Sequence, residues 1–268
     1  MSTRITFLGA AGFEIVGPEH RILVDPFLTT SPRAPIGAEE LEPPDVILVS
    51  HAAFDHLGDT AAIALRTGAP VVCDGGVRRI LLDRGVPSDQ IRATVWGIVV
   101  EVGGVLVRPV ECHHWSAGEL ADGTAVVGTP LAFIVETEPG VRIYHYGDTA
   151  IFDMRLIGEL YGPTVGLLGC TVPHELSARV PGAGRLLSGE MDADECARTA
   201  EMLGLRLAVA CHYFTQDDEV ARFLELVPRY DTTGARQAVA PEVGDTVVVD
   251  AERHTIEEGR HSATGDLR

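Results

Sequence analysis

Four apolar, strand-like runs, far apart along the chain, each end in a residue that can bind a metal ion. The first run, residues 46–49, leads directly to His51, and the others end at residues 111–114, at Asp148 and at His212. A continuous apolar run of this kind is typical of a strand covered on both faces. In folds that mix such strands with helices, the loops after the strands hold functional residues. A lone histidine at a strand end is usually structural, but four such ends favour one metal centre.

The rest of the chain alternates between strand-like and helical patterns in both halves. The runs lie at residues 5–8, 13–16, 21–24, 46–49, 60–66, 71–72, 77–82, 98–102, 105–110, 126–136, 141–146, 152–160, 165–168, 192–203, 207–210, 217–226 and 246–249. Strands interleaved with helices indicate sheets that pack on each other with helices outside. We therefore expect an α/β fold, either a four-layer αββα sandwich or a similar architecture. We expect one domain over residues 1–258 and a frayed tail at residues 259–268.

Composition limits where such a protein works. The 268 residues are 46% hydrophobic and 22% charged, which is typical of a globular chain with a sizeable core. No apolar run approaches the roughly 20 residues that cross a bilayer, and the amino terminus shows no signal peptide. The five cysteines are odd in number and form no Cys-x-x-Cys pair, which fits a reducing compartment. We expect a cytoplasmic protein without a membrane partner.

The charge of the chain limits its partners. The formal net charge is −18, and all 21 basic residues are arginine. Such a field repels a phosphate backbone, so we expect no nucleic-acid partner. The absence of lysine excludes Schiff-base chemistry and a Walker-type phosphate loop. A small-molecule substrate is the expected partner, and the sequence leaves association into a homo-oligomer open.

The strongest local motif is Ser-His-Ala-Ala-Phe-Asp-His-Leu-Gly-Asp at residues 50–59. Its His51, Asp55 and His56 are suitable ligands for zinc, manganese or iron. His51 leaves the strand end in one direction, whereas Asp55 and His56 approach from the start of a helix. One short loop can therefore serve two metal positions. A short motif of this kind also occurs by chance, but the other three strand ends strengthen the metal interpretation.

Together these segments resemble the metallo-β-lactamase superfamily, in the branch of metal-dependent hydrolases similar to ascorbate-6-phosphate lactonase. That branch has a DPF strand end, an HxHxDH loop, a later histidine, a GDT aspartate and a final histidine. The resemblance covers about residues 3–227 and is especially close at residues 143–160. It implies a sandwich of the metallo-β-lactamase type. The metal ligands that it implies are His51, Asp55, His56, His114, Asp148 and His212.

The chain departs from this pattern at Ala53, where the branch has the middle histidine of HxHxDH. By the resemblance, one metal position would use His51, residue 53 and the later histidine, with Asp148 as a bridge. The other position would be complete, with Asp55, His56, Asp148 and His212. Because a methyl group cannot coordinate a metal, three consequences stay open: a single metal, a second metal held weakly with extra water, or a substitute ligand.

Two ligand assignments stay open at this stage. Asp25 of the DPF strand end resembles an aspartate that orients a ligand histidine, and it is one candidate substitute. His113 and Cys112 are weaker candidates. Neighbouring strand residues point to opposite faces, so we expect only one of His113 and His114 to face the metal. The resemblance favours His114, because relatives have a ligand histidine before an aromatic residue.

The resemblance implies a hydrolase that uses one or two divalent metal ions (zinc, manganese or iron) to activate water. In that chemistry Asp148 holds or bridges the metal, and Asp55 orients the attacking water. Hydrolysis of an acyl bond in a lactone, ester or thioester is the first choice. The alternatives are a phosphoester hydrolase acting on a small phosphorylated metabolite and a metal-binding pseudoenzyme with an incomplete first position. Redox chemistry at iron ranks last, since the sequence shows no flavin or rubredoxin-like module.

Overall fold

The computed structural model describes residues 2–180, 182–184 and 189–259. The strands in this part of the chain are, in order, β1 (Thr3–Gly9), β2 (Gly12–Val16), β3 (Arg21–Val24), β4 (Val46–Leu48), β5 (Val71–Cys73), β6 (Ile91–Ala93), β7 (Val100–Val102), β8 (Val105–Val110), β9 (Ser116–Glu119), β10 (Ala125–Gly128), β11 (Ala132–Glu138), β12 (Val141–His145), β13 (Val165–Gly169), β14 (Leu207–Cys211), β15 (Gln237–Val239), β16 (Thr246–Val249) and β17 (His254–Glu257).

The helices of the same residues are α1 (Phe54–Leu57), α2 (Thr60–Thr67), α3 (Gly75–Asp83), α4 (Arg155–Tyr161), α5 (His174–Ser177), α6 (Ala193–Met202) and α7 (Asp218–Tyr230). An aspartate side chain accepts a backbone N–H at the start of three of them, namely Asp74 for α3, Asp192 for α6 and Asp217 for α7. Such caps satisfy amide groups that a helix cannot bond itself. None of these helices has the length and apolar character needed to cross a bilayer.

Two mixed sheets form the centre of the described structure. The first runs in the order β17-β16-β1-β2-β3-β4-β5-β6, and its strands are parallel from β3 to β6. The second runs in the order β15-β14-β13-β12-β11-β8-β7, and its strands are parallel from β12 to β15. Strands β9 and β10 pair as a separate hairpin. Parallel neighbours end at the same edge of a sheet. The loops after β3 and β4 therefore lie at one edge of the first sheet, and the loops after β12 and β14 lie at one edge of the second.

The alternation of side chains along the strands produces four layers. Val46 and Leu48 pack into a core shared with the second sheet, whereas Ile47 between them packs with α2 and α3 on the outer face. This follows because successive strand residues point to opposite faces. Helices α6 and α7 contact β13 and β14 of the second sheet. The predicted α/β class and αββα layering are confirmed.

The structure differs from the sequence prediction in three places. The strand-like run at residues 126–136 is two strands, β10 and β11, because Pro130 lies in the break between them and lacks a donor for a ladder. The one-turn helix α5 follows Pro173, in the stretch between residues 168 and 192 where the sequence shows no regular run. Strand β17 follows the expected last strand. Residues 260–268 of the predicted tail lie outside the described residues, and the single-domain boundary stays a prediction.

Candidate metal centre

Five strand ends bring the polar side chains of the centre together. In the first sheet, Asp25 follows β3 and His51 follows β4. The second sheet contributes His114 after β8, Asp148 after β12 and His212 after β14. All are buried except His114, which is partly exposed. The centre therefore lies between the two sheets at the edge where their parallel strands end.

The backbone at these strand ends is unusual. Asp25, Asp148 and His212 have φ angles of 43°, 63° and 69°, in the left-handed region that side chains other than glycine rarely adopt. Hydrogen bonds hold two of them there, from the amide of Asp25 to the carbonyl of Leu48 and from that of His212 to the carbonyl of Ala10. Strained conformations of this kind persist where the surroundings fix them, which is characteristic of functional sites.

Two glycines allow the loops to approach closely. Gly147, which precedes Asp148, has a φ of 61°, and an added Cβ would overlap the carbonyl oxygen of Leu131. Gly58, which ends α1, has a φ of 37°, and a Cβ there would overlap the carbonyl oxygen of Pro26. Only glycine fits these positions, since it lacks a Cβ. The contact at Gly58 holds α1 against the end of β3.

The first group of converging side chains consists of Asp55, His56, Asp148 and His212. Each offers one ligand atom, and these atoms all lie within 4.8 Å of one another. Oδ2 of Asp148 is 2.8 Å from Nε2 of His56 and 3.3 Å from Nε2 of His212. Oδ2 of Asp55 is 3.7 Å and 3.6 Å from the same two nitrogens. This is the set that the sequence predicts as complete.

The second group consists of His51, His114 and Asp148, whose ligand atoms also lie within 4.8 Å of one another. Nε2 of His51 is 3.9 Å from Oδ2 of Asp148. Asp148 thus belongs to both groups. Ala53 lines the adjoining cleft and contributes no ligand atom, so the second group has three members where the first has four.

Each of the four imidazoles is held through its other ring nitrogen. Nδ1 of His51 lies 3.0 Å from the hydroxyl of Ser50, and Nδ1 of His114 donates to the carbonyl of Gly189 at 2.8 Å. Nδ1 of His56 and of His212 lie 2.7 Å and 2.8 Å from carboxylate oxygens, which belong to Asp25 and Glu190. A proton on Nδ1 leaves the lone pair of Nε2 directed at the centre. Histidines that bind metal are held in this way.

The atoms that face the centre lack hydrogen bonds. Within the described chain, Nε2 of His51, of His56 and of His212 and Oδ1 of Asp148 are buried without a hydrogen-bond partner. Buried polar atoms are nearly always satisfied, because an unsatisfied one is costly. Three imidazole nitrogens and a carboxylate oxygen, divided between two groups that share Asp148, fit divalent cations, which would satisfy them.

The electrostatics of the centre also match a cation. Burial lowers the pKa of His51 well below its usual value, and the neighbouring imidazole of His56 lowers it further. Burial acts in the same direction on His56, but the carboxylates of Asp148 and Asp25 outweigh it and raise its pKa well above the usual value. Asp148 raises the pKa of His212 in the same way. Against burial, His212 and His56 hold the pKa of Asp148 well below its usual range.

The remaining predicted residues lie around the two groups. Asp25 contacts the ring of His56 on the side away from Asp148 and lies outside both groups. His113 points elsewhere: its Nε2 is 2.7 Å from Glu111, and its ring stacks on Phe152. Of the adjacent histidines, the structure brings His114 into the centre and leaves His113 outside.

Sequence reasoning missed the residues that hold the imidazoles in place. Glu190 is 5% exposed; its carboxylate accepts the hydroxyl of Tyr146 at 2.5 Å and lies against His212. Burial raises the pKa of Glu190 to about 7, although His212 acts against it. Gly189 and Glu190 follow a segment rich in glycine and proline, without periodicity, so nothing in the pattern marks them. Ser50 was visible only as the residue before His51.

A cleft of about 1030 Å³ opens onto both groups. Its wall includes His51, Asp55, His114, Asp148 and His212. A concave site of this size, with a few polar groups converging at one point, is typical of small-molecule binding.

Comparison with known proteins agrees with this geometry. A family model described as the β-lactamase superfamily domain matches residues 20–213. A UPF0173 metal-dependent hydrolase from Rubrobacter xylanophilus is 38% identical over 216 residues, which are 80% of this chain and 82% of that protein. One from Methanosarcina mazei is 32% identical over 247 residues, 92% of this chain and 94% of the other.

A solved structure is similar over most of its length. It is that of a metallo hydrolase from the archaeon Ignicoccus hospitalis, and it matches with a TM-score of 0.71 at 23% identity. The match covers 93% of this chain and 99% of the other. At this identity the similarity shows the fold alone. That fold is the metallo-β-lactamase type expected from the sequence.

Proposed function

The chain belongs to the UPF0173 family of metal-dependent hydrolases in the β-lactamase superfamily, and we propose that it hydrolyses an acyl bond of a small molecule. The observation that carries the proposal is the position of Asp148, whose carboxylate is shared by two groups of buried ligands at the wall of one cleft. A closer relationship to ascorbate-6-phosphate lactonase is part of the proposal, so lactones stand first among the expected substrates.

The ligand set defines what would be bound. Asp55, His56, Asp148 and His212 would hold one divalent ion, and the imidazole and carboxylate donors suit zinc, manganese or iron. His51, His114 and Asp148 would hold a second ion more weakly, since one protein ligand fewer leaves more of its coordination to water. When bound, such an ion activates water at neutral pH and polarises a carbonyl group.

The chain's own residues prepare the reaction in three ways. Asp25 and Glu190 fix the ring orientation of His56 and His212, so that both Nε2 atoms face Asp148. Asp148 is ionised, and its Oδ1 is available among the described residues to accept a hydrogen bond from the attacking water. Asp55 lies beside both imidazoles, where its carboxylate helps to orient that water. The protein thus supplies preorganised charge where it develops.

The test combines elemental analysis with a substrate panel. Protein purified without added metal is assayed on γ- and δ-lactones, p-nitrophenyl esters, acyl thioesters and bis(p-nitrophenyl) phosphate. We expect bound divalent metal and hydrolysis of an acyl substrate that a chelator abolishes. Hydrolysis of the phosphodiester alone would favour the phosphoester alternative, and bound metal without turnover on any substrate would favour a pseudoenzyme.

Adjacent histidines provide a matched control. His114→Ala removes a member of the second group, whereas His113→Ala alters a side chain that is directed away from the centre. We expect the first variant to lose at least tenfold in kcat/KM, in the range for a residue that positions catalytic metal, and the second to keep the activity of the unaltered protein. Equal activity of both variants would contradict the proposal.

A further inference from the structure

Arg179 lies on the wall of the cleft, with its guanidinium over two aromatic rings. Its guanidinium carbon is 3.9 Å from the ring centroid of Phe54 and 6.0 Å from that of Phe27, and these two rings pack edge to face at 5.8 Å. A guanidinium stacked on a ring keeps its N–H groups directed outward in its own plane. Phe54 immediately precedes Asp55, so the cation is held next to the first ligand group.

No acidic side chain of the described residues forms an ion pair with Arg179. Other arginines in this acidic chain have such partners: Arg155 is 2.9 Å from Asp153, and Arg198 is 2.7 Å from Asp194. Asp59, an acid on the same cleft wall, accepts the amides of residues 28 and 29 instead. Arg179 therefore presents an uncompensated positive charge to the cleft.

Another part of the wall is apolar although it faces solvent. The side chains of Trp115 and Val127 are 44% and 77% exposed, and both line the cleft. Trp115 stacks on His114 at 4.5 Å, so this apolar surface begins at the second ligand group. Exposed apolar surface inside a concave site is typical of a surface that a ligand covers.

We propose that the substrate carries an anionic group, bound by Arg179, and an apolar portion, bound by Trp115 and Val127. The inference rests on the proposed function for the position of the scissile bond, which lies between these two contacts at the metal ligands. A carboxylate or a phosphate matches the planar donors of a guanidinium, with which either forms paired hydrogen bonds. The substrate class is an amphiphilic acid whose acyl bond separates its charged end from its apolar end.

Two fluorescent probes with one ring skeleton test the assignment without requiring turnover. The sulfonate 8-anilinonaphthalene-1-sulfonate is anionic, and N-phenyl-1-naphthylamine is its neutral counterpart. We expect the full-length protein to bind the anionic probe more tightly than the neutral one. Arg179→Gln should lower this preference about tenfold, which is the effect of losing one charge-assisted hydrogen bond. Arg155→Gln, an exposed site outside the cleft, makes the same change in net charge and should leave the preference unaltered.

Two further variants complete the design. Trp115→Ala should weaken both probes to the same extent, because it removes apolar contact and leaves the charge. Arg84 also lines the cleft, and among the described residues it forms neither an ion pair nor a contact with an aromatic ring of the kind that holds Arg179 in place; Arg84→Gln should leave the preference unchanged. An unchanged preference in Arg179→Gln, or one lowered by Arg84→Gln instead, would overturn the assignment. Because the readout is binding, a protein that hydrolyses none of the panel substrates still tests this inference.

Discussion

Nδ1 of His56 donates a hydrogen bond to a carboxylate oxygen of Asp25 across 2.7 Å. The hydroxyl of Ser50 donates to the same oxygen at 2.6 Å, and the amide of Ser50 donates to the other oxygen at 2.8 Å. Both oxygens of Asp25 are thereby engaged, on the side of the ring opposite Asp148. This placement suits a residue that orients a ligand histidine, and it does not suit a substitute for the imidazole missing at position 53.

Replacement of Asp25 by alanine should therefore weaken metal binding without reducing the number of metal sites. We expect the dissociation constant for zinc to rise by about 10- to 100-fold, the range found when an orienting carboxylate is removed. Elemental analysis gives the stoichiometry, and competition with a chromophoric chelator gives the affinity.

Asp25→Asn serves as the companion variant, since it keeps the size of this fully buried side chain. It should fall between the unaltered protein and Asp25→Ala in affinity. Loss of one metal ion per chain in both variants would show instead that Asp25 is itself a ligand.

Glu190→Gln should weaken metal binding through His212. The glutamine keeps the volume of the buried carboxylate but loses its charge, so it holds Nδ1 of His212 less firmly, while the carbonyl of Thr171 at 3.1 Å remains as a second acceptor. We expect the zinc affinity to fall about tenfold, as measured by chelator competition. Glu175→Gln, at an exposed position of α5, is the control and should leave the zinc affinity unchanged. Equal affinities in the two variants would contradict an orienting role.

The sequence predicted the candidate ligands because they follow regular strands. His51, Asp148 and His212 each end an apolar run, and parallel strands that end at one edge bring their following residues together. The same reasoning explains why Asp55 and His56, one turn further along, reach the centre as well. A pattern of strands is therefore enough to predict a converging site, although not the distances within it.

Other features carried no such signal. Gly189 acts through its backbone carbonyl, and any residue type has one, so no side-chain pattern reveals its contact with His114. Glu190 is one of 39 acidic residues, and only the folded loop places it against His212. Strand β17 was missed because its residues are polar, mostly exposed and held by backbone pairing to β16 alone. Tertiary contacts decide all three.

Restoring the histidine at position 53 should complete the second ligand group. Ala53 lies on the cleft wall with His51 and His114, just before α1, and Ala53→His would give that group four members. We expect the unaltered protein to hold one tightly bound metal ion per chain and the variant to hold two, by elemental analysis after dialysis. Ala52→His is the control: Ala52 also lines the cleft, but it is 6% exposed and packs in the apolar cluster with residues of α3, so no second ion should be gained. One ion in both variants would show that position 53 does not face the centre.

The raised pKa values of His56 and His212 predict how stability depends on pH once the metal is removed. A histidine whose pKa is higher in the folded state than in the unfolded chain stabilises the fold fully below the usual value of about 6.5. That contribution is lost as the pH rises through the raised pKa. We therefore expect the urea midpoint of the chelated protein to fall as the pH is raised above about 6.5. A midpoint that rises over this interval would contradict the assigned directions.

Metal binding should then release protons, because a ligand histidine must lose the proton on Nε2 before that atom can coordinate. The carboxylates of Asp148 and Asp25 raise the pKa of His56, and Asp148 raises that of His212, so both favour the protonated imidazole in the metal-free state. The apparent dissociation constant for zinc should fall by about tenfold per pH unit for each proton released, until the pH passes the raised pKa values. Calorimetric titration in two buffers of different ionisation enthalpy counts these protons directly. Asp25→Asn removes one of the charges that raise the pKa of His56 and should reduce the count, whereas a count of zero at pH 7 in the unaltered protein would show that both imidazoles are already neutral.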